Sequence, residues 1–107
     1  MTDINPEKSL KYLAHTDEEC AKAKAYMKGC EQRLKTIKAM CWLGVVDVPQ
    51  GQKEQMAYND ARYKGGVEAY ENSVADYEIL NNKRNTAMLA IEVWRSMNAA
   101  QKKGNIV

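Results

Sequence analysis

Residues 63–101, YKGGVEAYENSVADYEILNNKRNTAMLAIEVWRSMNAAQ, decide how the chain folds. The stretch holds no proline, and Tyr63, Tyr70 and Tyr77 recur every seven residues with Val67 and Val74 between them. Alternating steps of four and three place these side chains on one face of a helix. Past Tyr77 the stripe continues as Leu80, Arg84, Ala87, Ile91, Trp94 and Asn98. The step from 77 to 80 is three where four is due, a defect that locally overwinds a coiled coil. It also brings the polar Arg84 and Asn98 onto the inner face. A continuous helix over 60–102 would be roughly 63 Å long. Asp60 can cap it, and Gly65-Gly66 weakens its first turns, so regular helix is expected from Val67.

A stripe of this length needs a partner. Residues 20–41 supply one: Cys20, Ala23, Met27, Cys30, Leu34, Ile37 and Cys41 follow steps of three and four without a break. Thr16 with Glu19 has the capping-box pattern, which predicts a helix over 16–43. Asn5 before Pro6 predicts a separate short helix over 6–14, interrupted by His15 and Thr16. Gly29 is a candidate for close helix approach. Gly44, Pro49 and Gly51 mark a linker over 44–59, with a helical turn or two after Gln52 and with Met56 and Ala57 inward. The reading is an all-α chain of one domain, residues 1–107. It is a long antiparallel, coiled-coil-like helical hairpin with a short N-terminal helix. The 16–43 helix covers only part of the long stripe, so either the N-terminal helix or a second copy covers the rest. Self-association is therefore expected, with Tyr63, Tyr70, Tyr77, Ile91 and Trp94 serving either packing within the hairpin or the contact between copies.

Composition narrows the classes. The 107 residues carry a net charge of +2 and no apolar run long enough to span a membrane. The N-terminus lacks the basic-then-apolar order of a secretion signal, and three cysteines at uneven spacing fit a reduced, cytoplasmic chain. Those cysteines stand ten and eleven residues apart, too far for paired zinc ligands, and read as small buried side chains. His15, the one histidine, has no nucleophile or carboxylate partner identifiable in the sequence. No catalytic, cofactor or metal site is expected.

Charge is segregated. Residues 22–38 hold Lys22, Lys24, Lys28, Arg33, Lys35 and Lys38 against Glu31 alone, and 68–78 hold Glu68, Glu71, Asp76 and Glu78 with no base. Lys83, Arg84, Arg95, Lys102 and Lys103 make the C-terminal part basic. Two readings follow: basic and acidic segments pair along the helix seam, or Lys24, Lys28, Lys35, Lys38 and the C-terminal bases face a nucleic acid or protein partner. Tyr63, Tyr70 and Tyr77 lie on the packing stripe, whereas Tyr12, Tyr26 and Tyr58 lie off the seams and are free to stack on bases. Arg84 on a packing face needs an acceptor, either from the partner helix or from an anionic ligand.

The segment Asp76-Tyr77-Glu78-Ile79-Leu80, then Lys83-Arg84, Thr86-Ala87 and Ile91-Glu92-Val93-Trp94-Arg95-Ser96 with Asn98-Ala99, resembles a group of small phage-encoded proteins. Their C-terminal helices carry a similar "R…A…IE-[VA]-WR" run followed by a basic tail. Tyr12-Leu13-Ala14-His15-Thr16-Asp17 and Ala21-Lys22 resemble the same group, while Gly65 and Gly66 depart from its more regular helix. Such proteins are often encoded near annealing proteins, exonucleases and single-strand-binding proteins. The resemblance implies a non-enzymatic accessory of a phage recombination or replication module in the bacterial cytoplasm. It would be a helical oligomer contacting a recombination protein or single-stranded DNA. The alternatives are an inhibitor that binds a host defence protein or nuclease, and a small helical bundle that binds an anionic ligand at Arg84.

Overall fold

The computed structural model describes residues 4–104, with side chains described through Lys102. Three helices follow in order: α1, Pro6–Leu43; α2, Gln50–Asn59; and α3, Ala61–Gly104. No strand occurs among the described residues, and the chain is the all-α helical hairpin its periodicity predicts. Two compact units divide it, one spanning Lys22–Tyr77 and the other joining the chain up to Ala21 with the chain from Glu78 onward. Helices α1 and α3 contribute to both.

The first helix starts as expected. Asn5 accepts the Lys8 amide on its side chain at 3.1 Å and the Ser9 amide on its carbonyl at 3.1 Å. The break at His15 and Thr16 does not occur, so the short N-terminal helix is the first part of α1. The Thr16 hydroxyl donates to the Tyr12 carbonyl one turn back, at 2.7 Å, rather than capping a new helix. Leu13 and Thr16 extend the 20–41 seam backward with the same steps of three and four, and Thr16 is buried. His15 is an exposed residue inside the helix.

In the unit formed by Lys22–Tyr77, the α1 seam packs antiparallel on α3. Cys41 lies beside Asp60, Leu34 and Ile37 reach Gly66, and Cys30 lies beside Ser73. Every predicted seam residue of α1 is buried or half-buried, and Tyr63, Val67, Tyr70, Val74 and Tyr77 are half-buried opposite them. The fully buried side chains are small: Cys30, Cys41, Ala57 and Ser73. Small side chains let the helices approach closely. A Cβ on Gly66 would stand 3.1 Å from Leu34 and 3.2 Å from Ile37. The close approach is thus at Gly66 and not at Gly29, where a Cβ would meet only the guanidinium of Arg33. Gly65-Gly66 lies inside α3, so regular helix begins at Ala61 rather than Val67.

Between the long helices, Gly44 and Val45 close α1 with amide bonds to Met40 and Trp42. Asp47 takes a left-handed backbone conformation, φ 62°, which aspartate tolerates. The linker holds a ten-residue helix, α2, longer than a turn or two. Ala57 is fully buried, as expected, but Met56 faces solvent. Adjacent side chains of a helix point about 100° apart, and here Ala57 takes the inward direction that Met56 does not share.

Asp60 joins α2 to α3 in an extended conformation and caps α3 as predicted. Its carboxylate accepts the Arg62 amide at 2.8 Å and the Arg62 guanidinium at 3.1 and 2.9 Å. Those bonds hold the Asp60 carboxyl well below the usual carboxylate range. Burial pushes the neighbouring Cys41 thiol up, and Asp60 adds to the shift.

In the other unit, Arg84 meets α1. It donates to the Leu13 carbonyl at 2.7 Å, to the Thr16 hydroxyl at 2.7 Å and to the Asp17 carboxylate at 2.9 Å. Leu80, Arg84, Ala87, Ile91 and Asn98 are half-buried, which confirms the shifted stripe, while Trp94 is exposed. The first part of α1 supplies the cover that the long stripe requires past Tyr77.

Candidate nucleic-acid interface

Helix geometry sorts the predicted basic residues. Lys24, Lys28, Lys35 and Lys38 follow steps of four, seven and three, and one more step of four reaches Trp42. At 100° per residue all five fall within an arc of roughly 80° on α1, beside the packing seam. Lys24, Lys28 and Lys35 are exposed, and Lys38 and Trp42 are half-buried. From 24 to 42 this face runs about 27 Å.

Aromatic rings interleave with the bases at its far end. The Lys38 ammonium lies 4.5 Å from the centre of the Tyr58 ring and donates to the Tyr58 hydroxyl at 2.7 Å. That hydroxyl raises the Lys38 pKa, against a smaller lowering by burial, so the residue stays cationic. Tyr58 packs edge-on against Tyr63 with ring centres 5.3 Å apart, which fixes its orientation. Lys53 of α2 lies 5.7 Å from the Trp42 ring. An open groove of about 430 Å³ runs between Lys35, Lys38, Ala39, Trp42 and Leu43. A cation and the aromatic face beneath it attract by a fraction of 1 kcal/mol to about 2 kcal/mol, and a nucleotide can replace that contact by drawing the lysine to its phosphate and stacking its base on the ring.

Among the described residues no ion pair joins Lys24, Lys28, Arg33 or Lys38 to residues 68–78, so the expected pairing along the seam is absent for them. The reason is angular: the seam admits the cysteines and aliphatic residues, and these lysines point off it. Lys35 pairs with Glu31 at 4.0 Å, both side chains well exposed, an interaction that water and salt weaken.

The remaining predicted bases belong to the other unit. Arg84 is committed to α1, and its side chain is 15% exposed. Lys83, Arg95 and Lys102 are exposed. Arg95 and Lys102 share a face seven residues apart, and Lys83 stands about a third of a turn away from it, so the three form no single stripe. The side chain of Lys103 lies outside the described residues. Sequence reading passed over Trp42 and Lys53. The step from 38 to 42 would have found Trp42, but Lys53 became visible only with α2 formed.

A second cluster lies at the other flank of the seam. Arg33 donates to the Cys30 sulfur at 3.2 Å and lies 5.5 Å from the centre of the exposed Tyr26 ring. Burial alone would raise the Cys30 pKa, but hydrogen bonds from Arg33, Tyr26 and Ser73 outweigh it and lower the value. A cavity of about 100 Å³ adjoins these residues and Gly66. All three cysteines are free, and no metal-holding group of His, Cys, Asp and Glu occurs among the described residues. Among the described residues no helix is long and apolar enough to cross a membrane. No protein-family model matches the chain, and neither a curated protein nor a solved structure matches it.

Proposed function

We propose that this protein is a non-enzymatic accessory of a phage recombination or replication module that self-associates and holds single-stranded nucleic acid along the 24–42 face of α1. The observation that carries the reading is the alignment of Lys24, Lys28, Lys35 and Lys38 with Trp42 and Tyr58, two rings each with a cation above them. Stacking is tolerant of base sequence and needs unpaired bases, so the preference is for single strands over duplex. The phage setting rests on the resemblance of residues 76–99.

Fluorescence anisotropy with a labelled single-stranded oligonucleotide and its duplex tests the reading. Four lysine–phosphate contacts give a slope of log K against log salt of about −3. The paired substitution Lys28→Glu and Lys35→Glu, on exposed positions, should abolish binding without loss of helix. Absence of binding at low salt would remove nucleic acid from the proposal and direct the search to a protein partner.

A further inference from the structure

A second heptad stripe, apolar at Ile79, Leu89, Val93 and Ala100 and polar at Asn82, Thr86 and Ser96, runs along α3 on the side away from α1. Ile79, Leu89 and Val93 are 56%, 59% and 39% exposed, and with Asn82 and Thr86 they follow steps of three and four that continue through 96 and 100. The inner seam of the same helix, Leu80, Arg84, Ala87 and Ile91, lies roughly 140° away. One helix therefore carries two heptad faces, and among the described residues only one of them is covered. Exposed Ile79, Leu89 and Val93 recurring at heptad spacing among small polar side chains mark an interaction face.

We infer that a second copy of the chain covers this face, with the two α3 helices parallel and in register over 79–100. Charge selects this occupant. In a parallel pair the residue just before a seam position meets the residue five places further along the partner. Glu78 then faces Lys83 of the second copy, and the two-fold axis makes the contact twice. The other flanking positions bring Asn85 to Ala90 and Glu92 to Met97, so no like charges meet. An antiparallel pair would set the flank bearing Glu78 and Glu92 against itself. Parallel register also places Asn82 on Asn82, and an amide, with donors and an acceptor, is its own complement. A foreign apolar helix would leave that amide without a partner. Size agrees: 22 residues run about 33 Å and cover on the order of 600 Å² per copy, the lower end of specific interfaces, so micromolar association is expected.

The inference names the surface for the self-association in the proposed function. It uses none of the residues of the 24–42 face, so the two fail separately. Sedimentation equilibrium of the full chain from roughly 1 µM to 1 mM tests it. Dimer is expected, with monomer for Val93→Glu or Leu89→Lys, each an exposed position, at unchanged helix content by circular dichroism. Glu78→Lys alone should weaken association about fivefold, and Glu78→Lys combined with Lys83→Glu should restore it. Wild type that stays monomeric throughout overturns the inference. So does a dimer indifferent to both seam variants, or a double charge exchange no stronger than the single one. Oligonucleotide binding by monomeric Val93→Glu would leave the nucleic-acid reading standing.

Discussion

Arg84 holds its place through neutral acceptors more than through its ion pair. Asp17, its charged partner, is 79% exposed, so solvent screens that contact. The Leu13 carbonyl and Thr16 hydroxyl lie nearer the interior and accept charge-assisted bonds. Arg84→Ala should lower stability by about 2 kcal/mol in urea titration, and Arg84→Met by less, because an apolar chain can fill the same path. Thr16→Val keeps the shape but removes an acceptor. A double-mutant cycle with Arg84 should give a coupling of about 1 kcal/mol, and additive effects would show that the hydroxyl contributes nothing to the guanidinium. Two adjacent glycines give a second contrast. Gly65→Ala enters open space in a helix and should raise stability by about 1 kcal/mol. Gly66→Ala meets Leu34 and Ile37 and should gain less or lose, as a shift in Tm reports.

Two of the three helices begin at side chains that accept orphan amides, α1 at Asn5 and α3 at Asp60, whereas α2 begins at Pro49 without one. The joint between α2 and α3 depends on an ionised Asp60, because a protonated carboxyl accepts the Arg62 bonds poorly. Its pKa is depressed on folding, so the stabilisation is complete above the unfolded value of about 4 and is lost as pH falls below it. Asp60→Ala should therefore lower Tm at pH 7 and flatten the decline in Tm below pH 4, read by circular dichroism. An unchanged acid limb would show that other carboxylates govern it. At the other end, α1 is one helix because Thr16 turns its hydroxyl back to Tyr12 and its buried side satisfies Arg84. A capping box describes local options, and a packed seam chose the other one.

For the molecule as a whole, a net charge of +2 is unevenly spread, because four lysines line the 24–42 face of α1 and none of them forms an ion pair with the 68–78 segment among the described residues. Replacement of Trp42 by alanine should weaken single-strand binding about tenfold while leaving the salt slope near −3, since a stacked base is lost and no phosphate contact is. Lys28→Glu should instead make the slope shallower. Equal effects of both substitutions on affinity and slope would argue that the face binds by charge alone. Association through α3 would present two such faces per dimer and raise avidity for strands long enough to reach both.

Periodicity and punctuation were readable from the chain. The two seams, the Asn5 and Asp60 caps, the end at Gly44 and the phase shift after Tyr77 all follow from the pitch of a helix and from backbone groups that need partners nearby. Contact across the hairpin was a different matter. Arg84 finds Thr16 at a separation of 68 residues, and Lys38 finds Tyr58 at 20. Within Lys22–Tyr77, Gly66 sets how closely α3 approaches Leu34 and Ile37. Local geometry determined which residues face inward. Only tertiary packing decided which of them meet, because a hydrogen bond is made or lost over less than an ångström and helical spacing alone does not fix distance between helices.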